Sequence, residues 1–95
     1  MPYNDLEMVN NEALHNFEMW IDGERAFIDY KIQGDIISLL HTEVPKTLEG
    51  KGVASVLLEK TLIWIEKKHL QLVPLCSYVR HYLERHPEWN KLLAG

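Results

Sequence analysis

One cysteine, Cys76, is all that this 95-residue chain carries, so no internal disulfide can form and the sequence fits a reducing compartment. Basic residues are also in deficit. Ten Lys and Arg stand against fourteen Asp and Glu, a net charge of −4, and the positive side chains are scattered, which argues against DNA or RNA as a partner. No apolar run comes near the ~20 residues of a membrane span. The opening MPYNDLEMVNNE is acidic where a signal peptide is basic and then apolar. The expected location is cytoplasmic, with no membrane partner. Repeats and low-complexity segments are missing too. His81 and Glu84 lie three apart on one helix without further convergent ligands, so no metal is expected.

What is present is ordinary for a folded domain: 46% hydrophobic and 25% charged residues, in a length that supports one core. A single domain over 1–95 follows, monomeric or homodimeric. Residues 1–14 have no convincing period and read as a loosely held arm. In FEMWID (17–22), Phe17, Met19 and Ile21 alternate with Glu18 and Asp22, while RAFIDYKI places Ala26, Ile28, Tyr30 and Ile32 on one face. The DG pair at 22–23 makes the two a hairpin. QGD (33–35) is a second turn, and IISLLHTEV (36–44) is too continuously apolar for a half-exposed strand, so it reads as a central one, ended by Pro45.

A helix follows from about Lys51 to Lys68, with Ala54, Leu57, Leu58, Thr61, Leu62 and Ile65 on its inner face. LQLVPL reads as a short buried strand. A second helix then runs to about His86, with Ser77 as N-cap and Pro87 as its stop. The fold class is α/β (α+β): antiparallel strands leading into a βαβ unit, whose strands at 36–44 and 70–74 run parallel, and then a C-terminal helix.

LEGKGVASVLL (48–58) sets Gly50 and Gly52 against the start of the first helix, although each glycine costs about 1 kcal/mol relative to alanine inside a helix. The loop falls at the carboxyl end of a strand, where the bare N–H groups of a helix N-terminus attract an anion and glycine lets backbone approach it closely. Glycines before a helix also occur simply to supply positive φ. The spacing does not supply G-x-x-x-x-G-K-[ST], and in G-x-G-x-x-G the third glycine would fall on Ser55. EGKGVA (49–54) resembles instead the pyrophosphate loop Q/R-x-x-G-x-G/A of the GNAT superfamily of N-acetyltransferases, with Gly52 and Ala54 in the last two places and Glu49 replacing the usual Gln or Arg. HTEVPKTLEGKGVASVLL and LVPLCSYVRHYLERHPEW extend the likeness over roughly residues 15–93, where the chain resembles the minimal, single-domain branch of YidJ-like or GCN-related small acetyltransferases.

The resemblance implies an acetyl-coenzyme A (acetyl-CoA) site and acetyl transfer to an unidentified amine, on a small molecule or a protein. Backbone N–H groups of Gly50, Lys51, Gly52, Val53, Ala54 and Ser55 would hold the pyrophosphate, each charge-assisted contact worth about 1.5–3 kcal/mol. The main chain of His41, Thr42, Glu43 and Val44 would pair with the pantetheine arm. The Lys51 side chain is either a phosphate contact or a solvated lysine. At pH 7 an amine of pKa ~10.4 is neutral in only about one molecule in 2,500, a handicap of ~4.6 kcal/mol, so a base or a desolvating pocket must help.

The departing thiolate also needs a proton, and the thioester oxygen needs a donor. Tyr82 matches the superfamily tyrosine that points at the cofactor sulfur and is the candidate acid, or else a core ring with a bonded hydroxyl. Cys76 at a helix N-terminus is a candidate nucleophile, or a buried filler. His41 is a candidate base, or a histidine bonded within the sheet. Trp20, Trp64 and Trp89 read as packing. Two other functions stay open: a non-catalytic module that binds or senses acetyl-CoA or CoA, and an interaction domain without a ligand. Either way the short chain leaves the acceptor side open, or completed by a second subunit.

Overall fold

Asp22 and Gly23 both adopt positive φ, 51° and 79°, the backbone that a two-residue hairpin loop demands and that a DG pair tolerates. Across that turn β2 (Asn16–Ile21) and β3 (Glu24–Gln33) pair from Ile21↔Glu24 to Asn16↔Asp29. The computed structural model describes residues 2–95. A 3-10 turn at Pro2–Asp5 precedes β1 (Val9–Asn11), and β4 (Ile36–Glu43) follows β3. A 3-10 turn at Lys46–Leu48, α1 (Val53–Lys67), β5 (Gln71–Pro74), α2 (Ser77–Arg85) and a 3-10 segment at Pro87–Leu92 complete the chain. The strands form one sheet in chain order, antiparallel except for β4 beside β5.

Both helices pack on one face of this sheet. Phe17, Met19, Ala26, Ile28, Ile37, Leu39 and Leu72 point into that layer and are fully buried, as are Leu57, Leu58, Leu62 and Ile65 of α1 and Val79 of α2. Burying each of these side chains other than Ala26 stabilises the fold by roughly 1.5–3 kcal/mol. Phe17 anchors the α1 contact through Trp64, their rings edge to face at 4.9 Å. Thr61 is tolerated in this apolar stripe because its hydroxyl donates to the Leu57 carbonyl at 2.9 Å.

Several expectations need correction. Part of the segment read as a loose arm is an edge strand: Val9–Asn11 pairs with Asn16–Glu18, and Tyr3, Leu6 and Met8 pack against the core. The segment is polar and irregular, and its order comes from tertiary contact. α1 begins at Val53, not Lys51, and buries Val53 and Val56, while Ala54 is only half-buried. The N-cap of α2 is Cys76, not Ser77. β4 lies inside the sheet but is not buried on both faces, since among the described residues no helix covers the reverse side and Ile36, Leu40 and His41 are exposed. Ile32 is exposed because β3 outruns β2.

Glu18 alternates with the core-facing Phe17 and Met19, yet it is only 7% exposed on the helix-free face. It accepts bonds from Arg25 Nε, from Trp20 Nε1 at 3.2 Å and from Asn11 Nδ2 at 3.4 Å. Arg25 also donates to Asn16 Oδ1 at 2.7 Å, and its guanidinium lies 4.3 Å from the centre of the Phe27 ring. A charge can be buried there because it is paired and fully hydrogen-bonded.

β3 and β4 carry the irregularity that shapes the site. Tyr30 pairs with Leu39 but Asp29 pairs with His41, so Leu40 is an extra residue, a β-bulge. Past it, Thr42 stands opposite Ile28 on the helix side, and His41 opposite Asp29 on the open side.

Candidate active site

Pairing between β4 and β5 covers only Ile36↔Gln71 to Leu39↔Pro74. The amides of Leu75 and Cys76 then both donate to the Leu39 carbonyl, at 3.0 Å each, and the two strands part. Among the described residues no strand borders β4 on that side from His41 onward. Its main chain there is open to an extended ligand.

At the same end, Gly52 caps α1 in the left-handed region, φ 83° and ψ 9°, with no side chain bonded to the cap. The first bond back to this cap runs from the Val56 amide to the Gly52 carbonyl at 3.1 Å, so the amides of Val53, Ala54 and Ser55 have no acceptor within the helix. Gly50, φ 77°, precedes it, and a Cβ there would meet nothing within 4 Å; the backbone angle, not crowding, requires glycine. Val44, Gly50, Gly52, Val53, Ala54 and Ser55 line a cavity of about 250 Å³ with Leu48, Glu49 and Tyr78. Lys51 does not line it: its side chain is exposed and its amide donates to the Leu48 carbonyl at 3.4 Å.

The remaining expected residues divide between the two faces. Cys76 is 8% exposed, and its Sγ lies 3.5 Å from Thr42 Oγ1. Burial pushes the thiol up, but the Thr42 hydroxyl and the backbone of Val79, Tyr78 and Thr42 outweigh it and hold Cys76 below its ordinary value. Tyr82 is buried on α2 with its ring stacked on His86 at 4.1 Å. Burial first, then Glu59, Tyr78 and Glu88, raise its phenol, while the Ser55 side chain pulls the other way. A tyrosine so disposed stays protonated and reaches the first turn of α1. His41 and Glu43 are on the other side: His41 Nε2 lies 3.0 Å from Glu43 Oε1, both side chains more than half exposed. The structure thus brings Thr42 to Cys76 and Tyr82 to the first turn of α1, and sets His41 apart on the other face.

Tyr78 was missed. It lines the loop cavity, and burial first, then the Cys76 sulfur, raise its phenol against the pull of Arg85. Its only signal in the sequence is its place two residues after Cys76, at the start of α2.

A family model of the GCN5-related N-acetyl-transferase matches residues 16–92. The chain belongs to the GCN5-related N-acetyltransferase family. Protein NATD1 of Mus musculus is 32% identical over 85 residues, 86% of this chain and 77% of that protein, and NATD1 of Gallus gallus is 27% identical over the same shares. The NMR solution structure of a GCN5-like protein from Staphylococcus aureus superposes with a TM-score of 0.73 at 26% identity, covering 96% of this chain and 90% of that one. Family membership carries acetyl transfer as the general activity and acetyl-CoA as the usual donor. In this GCN5-related N-acetyltransferase, no helix among the described residues is long and apolar enough to cross a membrane, and no group of three or more His, Cys, Asp or Glu is placed to hold a metal.

Proposed function

We propose that this chain transfers the acetyl group of acetyl-CoA to an amine, with Cys76 and Tyr82 on the donor side and His41 on the acceptor side. The observation that carries the reading is the junction of an unpaired β4 edge with the open amides of α1 at one cavity, whose lining includes Tyr78, two residues after Cys76. Amides of Val53, Ala54 and Ser55, with Gly50 and Gly52 in positive φ beside them, suit a diphosphate. The main chain of His41, Thr42, Glu43 and Val44 suits an extended arm with amide groups. Bound donor supplies an activated thioester; the rest is work for side chains.

Cys76, whose thiolate is favoured by the Thr42 hydroxyl and the start of α2, accepts the acetyl carbonyl as nucleophile. Tyr82, its hydroxyl protonated, would give its proton to the sulfur released as Cys76 takes over the acetyl group from the donor's thioester. The acceptor amine, arriving from the helix-free face, would then form its bond to the acetyl carbon as the bond from that carbon to the Cys76 sulfur breaks and the thiolate is restored, while His41, oriented by Glu43, takes the proton the nitrogen loses. The general term, cofactor positioning, comes from backbone and is insensitive to single side chains. Chemistry is not.

Two measurements test this. Acetyl-CoA at a hundred times its dissociation constant should stabilise the fold by about 2.7 kcal/mol, read as a thermal shift. Cys76→Ala, Tyr82→Phe and His41→Ala should each retain that shift while losing turnover in an amine panel. Unchanged turnover in all three removes the catalytic roles. A full shift with no turnover in the parent protein leaves a CoA-binding or sensing module.

A further inference from the structure

Acyl transfer makes four demands at the reacting carbon. In the mechanism proposed above, Cys76, Tyr82 and His41 meet three of them as nucleophile, acid and base. The fourth, a hydrogen-bond donor to the oxygen on which negative charge develops, is open. Most polar groups around Cys76 are already engaged. The Thr42 hydroxyl is paired with the Cys76 sulfur at 3.5 Å, and the amides of Leu75 and Cys76 both donate to the Leu39 carbonyl at 3.0 Å. Tyr82 is buried, stacked on His86 and drawn to the Ser55 side chain.

Tyr78 is different. It stands in the first turn of α2, for which Cys76 is the N-cap, and it is a half-buried wall of the glycine-loop cavity. Its hydroxyl has no hydrogen-bond partner among the described residues. Every fully buried polar side-chain atom among those residues does have one, so the Tyr78 oxygen is not sealed in the core but open to a partner from outside.

Its surroundings also place it near the nucleophile. Burial raises the Tyr78 phenol, and a charge on the Cys76 sulfur raises it further against the pull of Arg85, so oxygen and sulfur are within electrostatic reach of each other. Tyr82, four residues on, is raised by burial and then by Glu59, Tyr78 and Glu88; the Cys76 sulfur is not among the groups that move it. Of the two phenols on α2, the one that senses the attacking sulfur is Tyr78, and at neutral pH it is a neutral donor.

A carbonyl carbon attacked by Cys76 must meet that sulfur, and its oxygen is one bond away from the meeting point. We infer that Tyr78 is a further catalytic residue, whose hydroxyl donates to the thioester carbonyl oxygen and so recognises the acetyl group of the donor. The inference rests on the donor site proposed above and adds the residue that reads its acyl end. While Cys76 forms its bond to the carbonyl carbon and the π pair moves onto oxygen, Tyr78 holds the negative charge by a hydrogen bond and keeps its own proton. The pair then re-forms the carbonyl and expels the donor's sulfur, whose proton comes from Tyr82. Tyr78 ends as it began.

The probes are acetyl-CoA and S-ethyl-CoA, a thioether that lacks only the carbonyl oxygen, each titrated calorimetrically into the full chain. The parent should bind acetyl-CoA about fivefold more tightly, the worth of one neutral hydrogen bond. Tyr78→Phe should remove that preference and bind S-ethyl-CoA as the parent does; it deletes one unpartnered oxygen and keeps the ring, so an equal thermal shift with S-ethyl-CoA verifies the fold. Its turnover in the amine panel should fall about 10²- to 10³-fold. Tyr82→Phe should lose turnover but keep the preference, which separates proton transfer from carbonyl binding. A preference that survives in Tyr78→Phe, one absent from the parent, one lost equally in Tyr82→Phe, or turnover in Tyr78→Phe equal to the parent's overturns the inference and leaves the donor site standing. No binding of either probe ends the donor site and the inference together.

Discussion

Replacing Arg25 with methionine should invert part of the pH dependence of stability. The Glu18 carboxylate is nearly inaccessible, its side chain 9% exposed, and its bonds come from Arg25, Trp20 and Asn11. Burial raises the Glu18 carboxyl, but Arg25, through its hydrogen bond and its charge, together with Trp20 and Asn11, brings it below its ordinary value. Breaking a buried pair by removing one partner typically costs 3–5 kcal/mol. Arg25 is 23% exposed, so water can partly replace it, and about 3 kcal/mol is expected at pH 7, including the bond lost to Asn16.

The sign against pH follows from linkage. In the parent, the folded Glu18 holds its proton less tightly than the unfolded one; its contribution is present above the unfolded value near ~4.3 and is lost as pH falls through the depressed folded value. In Arg25→Met, burial is no longer opposed by the cation and the folded carboxyl rises above the unfolded one. Its effect then turns unfavourable as pH climbs through that range. Urea unfolding of both proteins at a series of pH values between acid and neutral measures the gap, and the difference cancels every other carboxylate. The gap should be largest at neutral pH and shrink in acid. A gap below about 1 kcal/mol at pH 7, or one that does not change with pH, refutes the account of Glu18 as a buried, Arg25-dependent charge.

Gly52→Val places a β-branched residue at φ 83°, so it should cost about 1–2 kcal/mol in urea unfolding and erase the acetyl-CoA thermal shift; a retained shift would place the diphosphate elsewhere. Thr42→Val removes the hydroxyl beside Cys76 and should raise the pH at which thiolate absorbance appears, a clean readout because Cys76 is the only cysteine. Deleting Leu40 removes the extra residue of the bulge and leaves Leu39, His41 and Thr42 in unbroken register opposite Tyr30, Asp29 and Ile28, so Thr42 should stay beside Cys76 and the thiol should titrate as in the parent; NMR contacts between Thr42 and Ile28 would report the kept register. A thiol raised as in Thr42→Val would mean that the register slips and that Leu40 is not the extra residue.

Most of the fold was legible because it follows from two periods and three turns. The alternation of Phe17, Met19 and Ile21 against Ala26 and Ile28, with a DG pair between, permits only a hairpin with one apolar face. Leu57, Leu58, Leu62 and Ile65 permit only an amphipathic helix. The failures share a cause as well. Val9–Asn11 is polar because a short edge strand need bury only one residue's worth of surface, so its order comes from β2 and leaves no local pattern. Glu18 sits at a position that alternation assigns to solvent, and only the neighbours Arg25 and Trp20, placed by the hairpin register, cover it. The apolar run of β4 was read as two-sided burial, whereas Ile36 and Leu40 remain exposed on the face that no helix covers.

The site divides along the same line. Its backbone half could be read from Gly50 and Gly52, since positive φ before a helix is a local demand with a local signature. Its side-chain half could not, because it depends on a single unpaired residue. A regular strand paired as Tyr30↔Leu39 would carry His41 opposite Ile28 and turn it toward Cys76, which is where a reading of HTEV by strict alternation from Leu39 places it. The bulge at Leu40 moves the register by one, giving that side to Thr42 and sending His41 to the open face beside Asp29. The thiol consequently faces a hydroxyl that favours its charged form, while the imidazole stands on the open face beside Glu43. A strand that alternated without interruption would place both groups on one side. The extra residue is what sets Thr42, beside the Cys76 sulfur, and His41 on opposite faces of a single strand.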